Sequence, residues 1–225
     1  MKVKQHGFLK KIAPLLYPYL FLLGLSILLM LIFTKEELYF DVNHYHTVFA
    51  DVFFTNVTQL GASTGCIVIS LIVILINFRK GFLLSTSYVL TFGVSQTLKN
   101  LIKAPRPHLF FAKKLSGIYL VKGVVMLDTN SFPSGHSVSA FTAALVLTYI
   151  VPKKWWAPLM LLLAVLVAYS RMYLSEHFLQ DVTAGSALGV FVSAFWVYWL
   201  DQKPFLHTEG WNRGIFGRNK KINPS

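Results

Sequence analysis

Three short polar clusters in this 225-residue chain are rich in side chains of the types able to bind or attack phosphate. The first runs Lys99-Asn-Leu-Ile-Lys-Ala-Pro-Arg106-Pro107, the second Pro133-Ser134-Gly135-His136, and the third is Ser170-Arg171 followed by His177 and Asp181. Lys99 and Arg106 stand seven positions apart at the exit of an apolar run, where a point charge and a planar fork can address one dianion. Pro105 and Pro107 hold Arg106 in extended backbone. The pair equally suits interfacial anchors whose charged heads reach up to lipid headgroups. In the second cluster Pro133 marks a helix start, so the free amides of Ser134, Gly135 and their neighbours can form an anion site. Gly135 admits a phosphate oxygen close to the main chain and Ser134 adds a hydroxyl. His136 follows as an acid or base near neutral pH, although an ordinary helix cap beside a surface histidine fits these residues as well.

In the third cluster, His177 and Asp181 are four positions apart and share a face if they lie on a helix. The carboxylate can then accept one imidazole N–H, fix the tautomer and leave the other nitrogen free to attack phosphorus. A lone pair at this spacing is also the pattern of a surface salt bridge. Arg171 is harder to assign to decoration, because a guanidinium at the end of an apolar span is costly unless an anion meets it.

The elements that must position these groups are membrane spans. Hydrophobic residues make up 55% of the chain and charged residues only 13%, well below the share of a soluble domain. The formal charge of +12 is spread in short clusters flanking apolar runs, not in one stripe, which argues against a nucleic-acid partner. A single cysteine, Cys66, excludes disulfides and a cysteine-based zinc site. Six apolar runs approach the length needed to cross a bilayer, approximately 15–33, 62–78, 82–98, 132–151, 155–173 and 182–200. The first follows a basic segment but is too long for a signal peptide and has no small-residue cleavage site, so it should remain as an anchor. The expected fold is an all-α, integral membrane bundle of six transmembrane helices.

Alternating six spans puts both termini on one side with 13 of the 21 basic residues, for a net charge of about +11 against about +1 opposite. Cations collect on the cytoplasmic side, so both termini are expected inside and all three polar clusters outside. Residues 38–60 alternate apolar and polar groups at helical spacing, which suggests an interfacial amphipathic helix between the first two spans; an extended start to the second span is the alternative. Residues 1–201 read as one domain and 202–225 as a polar, loosely ordered cytoplasmic tail.

Read in order, Lys-x6-Arg-Pro, Pro-Ser-Gly-His and Ser-Arg-x5-His-x3-Asp resemble the three-part signature of the type 2 phosphatidic acid phosphatase (PAP2) superfamily. The resemblance implies a metal-independent site with no cofactor. It implies His177 as the nucleophile that becomes phosphohistidine, Asp181 as the group that orients it, and His136 as the acid for the leaving oxygen and later the aid to water. Lys99, Arg106, Ser134, Gly135 and Arg171 would hold the phosphoryl oxygens, while Ser170 would be structural. A small bacterial inner-membrane member acting at the periplasmic face is the best match. Its partners would be the bilayer and a phosphorylated membrane lipid, such as undecaprenyl diphosphate, a lipid A phosphate or phosphatidylglycerol phosphate, with no obligate protein partner. Substrate choice is expected to reside in segment 38–60 and in 108–130, where Phe110 and Phe111 can meet lipid and Lys113, Lys114 and Lys122 further negative charge. The extra cations suit a diphosphate or a multiply phosphorylated glycolipid, and equally bulk anionic headgroups. The rival from another class is a protein that binds or transports a phosphorylated lipid without cleaving it.

Overall fold

The computed structural model describes residues 2–112, 117–151, 153 and 155–215, with side chains from Gly7 onward. Lys113, Lys114 and the tail beyond 215 lie outside the described residues. Among the described residues the fold is all helical. The chain forms α1 (Lys2–Ile32), α2 (Lys35–Asn43), α3 (Val48–Val57), α4 (Ser63–Ile76), α5 (Phe78–Ile102), α6 (Pro107–Phe110), α7 (Gly135–Ile150), α8 (Trp156–Tyr173) and α9 (Leu179–Leu200). Each of the six apolar runs falls in a helix, but by length and composition three are able to cross a membrane alone: Gly7–Ile32 of α1, then α8 and α9. The segments Val48–Gly61 and Ser63–Ile76, bent by 55° at their junction, make a fourth if counted as one broken span. The α7 helix is shorter, at 16 residues. The α5 helix has 25 residues but carries Arg79 and Lys80 near one end and Lys99 near the other.

The α7 helix occupies the centre, packed against α9, α8, α5 and α1. Its contact with α9 is close because glycines face it: a Cβ on Gly185 would lie 2.6 Å from the Ser134 carbonyl oxygen, and one on Gly189 2.6 Å from that of Val138. Small residues at helix crossings are the usual means of packing in an apolar solvent. Some buried hydroxyls along α5 and α7 bond within their own helix, as Ser87 does to the Leu83 carbonyl at 2.6 Å, and others bond between helices, as Thr142 does to the Thr91 hydroxyl at 3.1 Å. The outside is apolar: Phe21 of α1 is 73% exposed and Phe195 of α9 is 67% exposed. Such faces suit hydrocarbon and would be a liability in water.

Two segments differ from expectation. Residues 38–60 form no single amphipathic helix. A capping box, with Thr34 and Glu37 bonded reciprocally, starts α2, and Thr47 caps a separate α3. The break lets polar side chains turn inward: the His46 ring lies 4.0 Å from that of Tyr119 and 4.3 Å from that of Tyr173, while Asp51 accepts from both tyrosine hydroxyls at 2.7 and 2.6 Å. The segment is thereby fastened over the end of α8. The described part of the tail is packed as well. The first amides of α5 lack intrahelical acceptors, and Phe78 and Arg79 donate to the carbonyls of Arg213 and Trp211 at 2.9 and 2.8 Å. Leu206 is fully buried, and Asp201 grips Arg79 through two bonds of 2.8 and 2.7 Å.

Because α7 begins in the second polar cluster and α9 carries Asp181 of the third, their spacing should control both stability and site geometry. Gly185→Ala should cost about 1–3 kcal/mol by overpacking, whereas Gly93→Ala, whose Cβ meets open space, should be neutral or stabilising by up to about 1 kcal/mol. Thermal unfolding of both variants in detergent measures the difference.

Candidate functional site

The first cluster is shaped by the end of α5. Lys103 adopts a left-handed conformation (φ 49°) and terminates the helix one turn beyond Lys99. Arg106 then caps α6, with Pro107 in the first helical position. Residues 104–106 pair with the segment ahead of the second cluster, the Arg106 amide with the Asp128 carbonyl at 2.9 Å and the Ser131 amide with the Ala104 carbonyl at 3.0 Å. This pairing fastens both cations: Lys99 Nζ donates to the Asn130 carbonyl at 2.6 Å, and Arg106 Nε to that of Thr129 at 3.1 Å.

The second cluster caps α7. Ser134 Oγ accepts the Ser137 amide at 3.5 Å and the Ser137 hydroxyl at 3.0 Å. The Ser134 amide donates to the Asp181 carbonyl at 3.0 Å, so it is spent on holding α7 to α9 and is not the free donor expected from sequence. The helix begins at Gly135, leaving the amides of Gly135 and His136 in a first turn that has no intrahelical acceptors. A Cβ on Gly135 would stand 3.9 Å from Lys99 Cε, which shows how closely the first two clusters meet.

The third cluster is a tight turn. The Arg171 carbonyl accepts the amides of Glu176 and His177 at 3.0 and 3.1 Å, with Ser175 left-handed (φ 57°). His177 therefore stands before α9, not on it, and Asp181 lies in the first turn of that helix. The expected dyad forms across a helix boundary, with Nδ1 of His177 3.6 Å from Asp181 Oδ2. Ser131 completes it: its hydroxyl donates to Asp181 Oδ2 at 2.6 Å and lies 3.3 Å from His177 Nδ1. The same carboxylate oxygen accepts the Phe178 amide at 2.9 Å, so one group caps α9 and steadies the imidazole. Ser170 donates to the Val167 carbonyl at 2.6 Å, a structural bond.

The three clusters converge. The charges of Arg171, Arg106 and Lys99 all act on the His136 ring, and His177 is among its neighbours. Lys99, Arg106, Arg171, His177 and Asp181 are all buried. Two participants carried no sequence signal. Ser131 lies ahead of the second cluster, and Glu176 is a spacer position in the third. Glu176 is 2% exposed, and its Oε2 pairs with Nη1 of Arg106 and, at 3.3 Å, with Nη2 of Arg171. Arg171 Nη1 also donates to Thr58 at 2.9 Å, while its Nε and Asp181 Oδ1 are buried without a hydrogen-bond partner among the described residues. The unspent Arg171 Nε–H, beside three cations, suits an incoming oxyanion. Among the described residues no three His, Cys, Asp or Glu side chains converge to hold a metal ion.

The PAP2 superfamily's sequence model matches residues 80–205, which include all three clusters. The chain belongs to the PAP2 superfamily. An undecaprenyl-diphosphatase from Sulfolobus acidocaldarius is 34% identical over 127 residues, a match that spans 56% of this chain and 58% of that relative's length. The crystal structure of Aquifex aeolicus LpxE superposes with a TM-score of 0.64 at 28% identity, covering 72% of this chain and 93% of the other. The transmembrane PAP2-type phosphatidylglycerolphosphate phosphatase of Bacillus subtilis gives 0.58 at 26% identity, covering 88% and 99%.

Two outcomes follow from the PAP2 site geometry. Glu176→Ala strands two buried guanidiniums and should cost about 3–5 kcal/mol of stability, against less than about 0.5 kcal/mol for Glu209→Ala on the exposed tail, both read by unfolding in detergent. Burial, reinforced by Arg171 and Arg106 and opposed by Asp181, pushes the His177 imidazole down to about 3. The ring should stay neutral from pH 8 to pH 5, where an ordinary histidine gains its proton near about 6.5. Nitrogen-15 NMR of labelled histidines, assigned with His177→Gln, checks this, and a midpoint for His177 near neutrality contradicts it.

Proposed function

We propose that this chain is a lipid phosphate or diphosphate phosphatase that works through a phosphohistidine on His177 and uses no metal. The observation that carries the reading is the buried imidazole, backed by Asp181 and Ser131 and set near Arg106 and Arg171, with the charge of Lys99 acting on the same carboxylate. With Nδ1 facing the carboxylate, the proton resides there and the Nε2 lone pair is free. Nε2 attacks phosphorus, the bond to the lipid-side oxygen breaks, and His136, which holds a proton once the phosphate dianion offsets the surrounding cations, gives that oxygen the proton. The neutral His136 then takes a proton from water as the water oxygen attacks the phosphohistidine. The N–P bond breaks, His177 is restored and inorganic phosphate leaves. Throughout, the Nδ1 proton stays between the ring and Asp181, whose charge offsets the one developing on the imidazole. Lys99, Arg106 and Arg171 hold the three outer phosphoryl oxygens, helped by Gly135 in the first turn of α7 and by the Ser134 hydroxyl.

In this reading six helices cross the bilayer, α5 and α7 included, with both termini cytoplasmic and the site at the periplasmic face of the inner membrane. The asymmetry of about +11 against +1 supports that orientation, and charges at the ends of α5 can reach the interfaces. Residues 1–201 make up the phosphatase domain. Undecaprenyl diphosphate, a lipid A phosphate and phosphatidylglycerol phosphate are the substrate classes, supported by relatives that bear the first and third names.

Phosphate release from a panel of these lipids in detergent tests the proposal. Release should persist in EDTA, fall to background with His177→Ala, and fall about 100- to 1,000-fold with Lys99→Ala. Activity abolished by EDTA overturns the metal-free route. Lipid retention lost with Lys99→Ala but untouched by His177→Ala, without any phosphate release by the wild type, would identify a binder or transporter.

A further inference from the structure

One cation near the site has no part in the scheme above. Lys35 is the first residue of α2, after the capping residue Thr34. The positive end of a helix dipole disfavours a cation there, so the position breaks a local rule that a structural residue would obey. Its ammonium lies 3.7 Å from the ring centre of Phe178 and 4.3 Å from that of Phe110. Phe178 directly follows the proposed nucleophile, and Phe110 is four residues past Arg106, in the helix that Arg106 caps. Lys35 therefore bridges the first and third clusters at their rim. Two aromatic faces hold the ammonium but do not neutralise it, and no carboxylate pairs with it among the described residues. The charge of Asp181 reaches it, which places it within electrostatic range of the reacting centre.

The surroundings indicate which part of a lipid it would meet. Lys35, Phe178, Leu179 and Gln180 border a cavity of about 80 Å³. Leu179 also borders a groove of about 170 Å³ between α1, α8 and α9, lined by Leu22, Leu25, Leu29, Val165 and Val182. A hydrocarbon chain in that groove leads its headgroup past Lys35 before the terminal phosphate reaches Arg106 and Arg171. In a monoester the group next to the scissile phosphate is neutral. In a diphosphate it is a second phosphate, which gains negative charge as the leaving group when the bridging bond breaks. A cation at this point is worth more in that transition state than in the ground state.

Resting on the phosphatase reading above, we propose that Lys35 binds the lipid-side phosphate of a diphosphate substrate and sets a preference for diphosphates over monophosphates. The test uses farnesyl diphosphate and farnesyl phosphate in neutral detergent micelles, with the full chain and phosphate release as the readout. The wild type should favour the diphosphate in kcat/KM. Lys35→Gln should lower the diphosphate-to-monophosphate ratio at least tenfold, and Lys35→Arg should restore most of it. A ratio taken within one preparation does not depend on the folded fraction. An active wild type that favours the monophosphate, or a Lys35→Gln ratio equal to the wild type's, overturns the inference and leaves the phosphatase reading standing. A wild type inert on both lipids and on the wider panel overturns both.

Discussion

Like charges gathered in a buried place repel one another, and most of what is unusual in this molecule follows from doing so with Lys99, Arg106 and Arg171. All three are less than a tenth exposed and come from different elements. Water does not screen them, so the protein must offset their charge itself. Glu176 lies against both arginines and Asp181 acts on Lys99 and Arg106, while the carbonyls of Thr129 and Asn130 absorb part of the hydrogen-bonding demand. The offset leaves one cation in excess, together with an unpaired donor, Arg171 Nε, and a histidine whose burial keeps it neutral. A phosphate dianion fits what remains.

The scaffold serves that balance by fixing three chain ends against each other. The Ser134 amide to the Asp181 carbonyl links the starts of α7 and α9, and the Ser131 hydroxyl to the Asp181 carboxylate links the loop ahead of α7 to the His177–Asp181 pair. Glycines at 185 and 189 allow the two helices to meet at backbone distance. The geometry thus rests on helix termini and their caps, where backbone groups are unsatisfied by default and can be used to aim side chains. The chemistry is at one end of the bundle, and Arg79, Tyr149 and Asp201 tie together the other.

Polar residues outside the site show the same economy. His46, Asp51, Tyr119 and Tyr173 form a compact network that seats α2 and α3 over the end of α8. Lys35 opens α2 at the edge of that seat, against the rings of Phe110 and Phe178. Family membership and the shared site chemistry leave room for such peripheral residues to set the substrate, because one phosphoryl group presents nearly the same charge as another.

Much of this was legible in the chain alone. Apolar runs must become helices where water is scarce, and clusters rich in His, Arg, Lys and Gly at their ends are expensive unless they bind something, so the all-helical class and the candidate site residues were legible from local chemistry. The spacing made His177 and Asp181 visible as a pair, but not their geometry: α9 begins at Leu179, two residues past the histidine, which leaves His177 in a turn and not on a helix face. Only the tertiary structure could reveal Ser131, Glu176 and Thr58, because each has a partner in the site 46 to 113 residues away. The same holds for the break at 44–47 and the docked tail, which depend on acceptors supplied by distant segments. Periodicity and motif spacing record what a residue does for its own helix. Long-range pairing is decided by which buried polar groups remain unsatisfied once the helices have packed, and that is a property of the assembled bundle.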